Sequence, residues 1–140
     1  MQVFIVGSPL ETAMALDPKR LNRQIQETKV ILAALNGAKA WSNHPCVLQY
    51  RGREEWLRAY KTCLEWYVSG DEAKALWASN MADYWRPMFH TQEYFDNMKA
   101  RLYTKNPQHY AQFAEYGMSE ENHYFVDGEW RKYVNGKRIE

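Results

Sequence analysis

Residues 16–35 read LDPKRLNRQIQETKVILAAL, and this stretch decides the fold class. Asp17 followed by Pro18 is a helix start: a capping side chain, then a residue whose fixed φ suits the first turn. Asn36-Gly37 is the matching stop. Between these signals Leu21, Ile25, Leu32 and Leu35 recur on one face, which predicts an amphipathic helix over 18–35. Arg20, Gln24, Glu27 and Ile31 form a neighbouring stripe at i, i+4, i+7, i+11, with Arg23 beside them. Because Ile31 continues that row, its polar members are expected to be partly covered. Two readings stand. Arg, Gln and Glu held beside a core can bind a phosphate and set a carboxylate against a reacting atom. Alternatively, the stripe is a solvated face laced by i, i+4 pairs.

Upstream, residues 2–6 (QVFIV) are apolar and β-prone, with no basic start and no small-residue cleavage site. They predict a short buried extended segment and not a signal peptide. Ser8-Pro9-Leu10-Glu11 carries the capping-box pattern for a brief first helix. Downstream, residues 38–52 read as irregular and contain Asn43-His44-Pro45. Trp56, Tyr60, Cys63, Leu64 and Tyr67 predict a helix over 53–68. Asp71 caps a short one through residue 77, Thr91 caps another to about 104, and Asn106-Pro107 opens a last one ending at Gly117. The tail HYFV-DG-EWRKYV is a hairpin pattern around an Asp-Gly turn. The expected fold is mainly α: a compact single-domain helical bundle with a short N-terminal extended segment and a C-terminal β-hairpin. The helical part covers 1–117, and the hairpin, 118–140, is an appendage packed on the same domain.

A chain of 140 residues, 46% of them hydrophobic, can bury one core. It has no apolar run of the roughly 18 residues that a membrane span needs, so no membrane partner is expected. The only two cysteines, Cys46 and Cys63, lie in apolar or aromatic stretches. They argue against a disulfide framework and fit a reducing, cytoplasmic setting. Eighteen Lys and Arg against 17 Asp and Glu leave a net charge of +1. Nucleic-acid binding must therefore rest on a local basic face.

His44, held between Asn43 and Pro45, is a candidate catalytic group in a constrained loop, or else a structural hydrogen-bonding group. The four histidines show no metal-ligand spacing, and no phosphate-binding glycine loop occurs, so no metal or cofactor is expected. Lys99, Arg101, Lys105 and Tyr110, with Tyr103 and His109 among them, interleave basic groups with rings. That pattern suits a nucleic-acid backbone with an exposed base, or a mixed surface with some rings turned inward.

The order of these pieces resembles the pyrimidine-dimer DNA glycosylase family and its bacterial and phage relatives. The sequence carries Leu16-Asp17-Pro18-Lys19-Arg20-Leu21, then Gln24, Glu27, Trp41, His44-Pro45, and the stretch from Lys99 to Tyr110, covering roughly residues 1–117. The resemblance implies a glycosylase-like helical domain acting on damaged or modified DNA. In the family's chemistry an N-terminal α-amine attacks C1′ of the damaged nucleotide to form a Schiff base, a helix-borne glutamate assists, and arginines hold phosphates. Such an amine titrates near roughly 7.7–8.0, so a useful fraction is nucleophilic at neutral pH.

Carried onto this sequence, the catalytic set is Met1, Glu27 and His44. The substrate-binding set is Arg20, Arg23, Gln24, Lys99, Arg101, Lys105 and Tyr110. Gln2 is large enough that the initiator methionine is expected to stay, so the amine is that of Met1 and not of a small polar residue. Glu27 lies further along the helix than the family's glutamate position, for which Leu21 is the more direct match. A second reading therefore stays open: a non-catalytic module binding a nucleotide or nucleic acid in the same pocket.

Overall fold

The computed structural model describes residues 1–140 and is mainly helical. It divides into two compact units, Met1–Pro87 and Met88–Glu140. This division falls well before the 117/118 boundary read from the sequence. No helix is long and apolar enough to cross a membrane.

The first unit contains α1 (Pro9–Ala15), α2 (Pro18–Leu35), α3 (Pro45–Gln49), α4 (Glu54–Val68) and α5 (Glu72–Asp83). Ser8 and Glu11 form the reciprocal capping box that starts α1. Asp17 caps α2 by accepting from the Arg20 amide. The buried stripe of α2 is rotated from the expected one. Leu21, Gln24, Ile25, Thr28 and Ile31 face inward, while Leu32 and Leu35 are half-buried.

The short helix α3 falls inside the stretch expected to be irregular. Its cap is the His44 ring, whose Nδ1 accepts from the Cys46 amide at 3.1 Å. Pro45 supplies the first turn. A histidine cap lies outside the Ser/Thr/Asp/Asn set that marks helix starts in a sequence, so nothing announced it. On α4, Trp56, Tyr60, Cys63 and Leu64 are buried as their spacing predicted. Helix α5 runs beyond Trp77 to Asp83 because Ala75, Ala78, Ser79 and Ala82 continue a small-residue face that is buried.

Residues 2–6 are buried but form no strand. Their backbone groups are satisfied by distant side chains. Phe4 N–H donates to Gln24 Oε1 at 2.9 Å, the Phe4 carbonyl accepts from the Tyr60 hydroxyl at 2.6 Å, and Val6 N–H donates to Thr12 Oγ1 at 3.1 Å. Buried backbone polar groups need partners. Here α1, α2 and α4 provide what a neighbouring strand would.

The second unit contains α6 (Gln92–Lys105), a 3₁₀ turn (Ala111–Tyr116) and a three-stranded antiparallel meander. The helix expected from Asn106-Pro107 is replaced by turns followed by the 3₁₀ segment. Asn106 Oδ1 accepts from the His109 amide, and its own carbonyl accepts from Tyr110. Strands β1 (Asn122–Val126) and β2 (Glu129–Val134) pair across Asp127-Gly128, both at positive φ as the tight hairpin turn requires. A second such turn, Asn135-Gly136, adds β3 (Lys137–Arg138), which the sequence reading did not anticipate.

Candidate functional site

The N-terminal segment lies against α2 and α3, and its first residues meet the polar stripe read from the sequence. Gln2 N–H donates to Glu27 Oε2 at 3.4 Å. Gln24 Nε2 donates to the Gln2 carbonyl at 2.8 Å and to Glu27 Oε2 at 3.2 Å. Gln24 Oε1 accepts from Phe4 N–H and from the Tyr60 hydroxyl. Both ends of this amide are thus engaged, and the residue is only 2% exposed. Gln24 is therefore a clamp for the N-terminal segment and not a surface group awaiting substrate.

The Met1 α-amine precedes this clamped segment. Its positive charge reaches His44 and Cys46, and the Glu27 carboxylate also acts on the Cys46 sulfur. The amine thus acts on both His44 and the buried thiol. Burial pushes that thiol up to about 12, against the pull of the amine and of hydrogen bonds from Val3 and Gln49. Cys63 is likewise pushed up to about 12 by burial. Neither cysteine is a nucleophile at neutral pH.

Burial, and next the amine's charge, hold His44 below its ordinary value. Because Nδ1 accepts from the Cys46 amide, the neutral ring carries its proton on Nε2. His44 is then a hydrogen-bond donor through Nε2.

The remaining candidates are spread out. The Arg20 guanidinium is half-buried and held by Asp17 at 3.2 Å, whereas Arg23 is exposed. Around the site the near-neutral net charge conceals a local excess. Residues 16–53 hold seven Lys and Arg against only Asp17 and Glu27.

In the second unit Lys99 is half-buried, with its Nζ 4.6 Å from the Tyr116 ring centre and 3.3 Å from the Tyr116 hydroxyl. Lys105 is exposed in the last turn of α6. Arg101 and Tyr110 are corrected as substrate-binding residues. Arg101 is 8% exposed and donates to Asn122 Oδ1 and the Ser119 carbonyl, tying α6 to the hairpin. Tyr110 is fully buried, stacked on Phe113, so no base can reach its ring.

Two cavities are lined by none of the Met1-cluster residues. One of about 520 Å³ is bounded by the start of α6 and the hairpin, and one of about 310 Å³ lies between α4 and α5. No group of three or more His, Cys, Asp and Glu side chains gathers to hold a metal. Sequence reasoning passed over Cys46, whose apolar surroundings marked it only as core.

The N-terminal segment, Glu27 of α2 and His44 at the start of α3 thus belong to one helical unit. The family model described as pyrimidine dimer DNA glycosylase matches residues 1–66. The matched span takes in α1 to α3 and most of α4, and with them every residue of the Met1 cluster. No curated protein and no solved structure matches the chain.

Proposed function

We propose that the protein is a DNA glycosylase with AP-lyase activity toward a damaged or modified base, working through a Schiff base on the Met1 α-amine. One observation carries this reading: the amide of Gln2, the residue after the amine, is hydrogen-bonded to the helix-borne Glu27 carboxylate. The neutral amine attacks C1′ of the target nucleotide, and the bond to the base breaks. The departing base takes up a proton lost by the attacking nitrogen, with the Nε2–H of neutral His44 donating a hydrogen bond to it. Loss of a proton from nitrogen and opening of the sugar ring leave the imine. Glu27 then removes a proton from C2′, and the 3′ phosphate leaves by β-elimination. The excess of cations in residues 16–53 supplies the phosphate contacts, with Arg23 the most accessible on α2. Reaching C1′ inside a duplex requires the nucleotide to be unstacked or flipped.

Borohydride reduction in the presence of abasic-site DNA tests this reading. Covalent linkage of protein to DNA is expected. Absence of linkage with DNA binding intact would leave the non-catalytic nucleotide- or nucleic-acid-binding module as the better account.

A further inference from the structure

Trp41 lies between α2 and α3 with a φ of +66°. A bulky side chain seldom adopts this left-handed conformation, which glycine enters without strain. The loop is two successive turns: Ser42 N–H donates to the Lys39 carbonyl at 3.3 Å, and His44 N–H to the Trp41 carbonyl at 3.0 Å. Burial does not account for the ring at this position, because Trp41 is 56% exposed. Its contact is with His44, ring centroids 5.9 Å apart and planes at 71°. A strained backbone position thus holds a large, open aromatic surface against one member of the Met1 cluster. Strain kept without a packing gain is characteristic of functional positions.

We propose that Trp41 is the stacking ring that holds DNA open at this site, packing against the base next to the extruded nucleotide. The proposal rests on the reading of the Met1 cluster as a DNA-processing site. Extrusion leaves a neighbouring base with one face bare, and an indole can cover it whatever the sequence, since every base presents a π-face. The ring therefore selects an opened duplex geometry and not a base identity. The surrounding cations hold the strand while the ring fills the gap.

The test uses the full chain and a duplex carrying a tetrahydrofuran abasic analogue, which has no C1′ hydroxyl and cannot form a Schiff base. Wild-type protein should bind this duplex more tightly than the intact one, with quenching of its tryptophan emission. Trp41→Phe should lose most of that quenching while keeping most of the affinity. Trp41→Ala should weaken binding to the analogue duplex by roughly 5- to 100-fold. Trp41→Gly should weaken it similarly while melting no lower than wild type, because it relieves the positive φ. Unchanged analogue binding by Trp41→Ala, or a clear fall in the melting temperature of Trp41→Gly, would overturn the proposal in favour of a structural ring. Because this binding needs no covalent step, it succeeds or fails independently of borohydride trapping.

Discussion

Gln24 and Glu27, one turn apart on α2, share a hydrogen bond of 3.2 Å, and the same Gln24 nitrogen reaches the Gln2 carbonyl at 2.8 Å. The helix therefore fixes the beginning of the chain and orients the carboxylate with a single side chain.

Removing that clamp should cost both stability and reactivity. Gln24→Ala leaves Phe4 N–H and the Gln2 carbonyl short of a partner in a buried setting, while the Tyr60 hydroxyl keeps the Phe4 carbonyl. The expected loss is about 3 kcal/mol in urea unfolding. Gln24→Glu should also destabilise, because it sets a second carboxylate against Glu27. A loss below about 1 kcal/mol for Gln24→Ala would show that the segment is held by its apolar side chains alone.

His44 gives the protein a pH-dependent term of known sign. Its folded value lies below the ordinary 6.5, so the fold favours the neutral ring. The stabilisation is fully present above about pH 6.5 and fades as pH falls from there toward the lower folded value. His44→Asn can keep the helix cap but cannot titrate. The melting temperature of the wild type should therefore drop more steeply between pH 7 and 5 than that of His44→Asn. Parallel profiles would contradict the assignment.

The cation excess in residues 16–53 predicts salt-dependent DNA binding despite the net charge of +1. Affinity should fall linearly on a log–log plot against salt. Arg23→Ala should weaken binding uniformly across sequences and reduce the slope by about 1. A flat dependence on salt would remove the phosphate-binding role of this face.

Cys46 and Cys63 should resist alkylation in the native protein at pH 8, since both are fully buried and pushed up to about 12. Both should react on unfolding. Rapid modification of Cys46 in the folded state would show that the N-terminal segment opens readily.

Much of the fold was legible because its signals are local. Asp17-Pro18 and Asn36-Gly37 bracket α2, Ser8 and Glu11 cap α1, and Asp127-Gly128 turns the hairpin. The same Asn-Gly signal at 135–136 was present but went unread. The site was legible in part. The stripe of Arg20, Gln24 and Glu27 sits on one helix, but periodicity cannot say what each polar group meets. Gln24 meets the backbone of a segment some twenty residues earlier in the chain, a non-local pairing that spacing does not encode. The burial of Arg101 and Tyr110 likewise depends on partners brought in by the hairpin and the 3₁₀ turn.

The central claim is that the nucleophile is the Met1 α-amine. Borohydride trapping on abasic-site DNA, followed by digestion and mass spectrometry of the linked peptide, locates the reacting nitrogen. The adduct should lie on Met1, and a one- or two-residue N-terminal extension should abolish it without lowering the melting temperature. An adduct on Lys19, or one that survives the extension, would contradict the account.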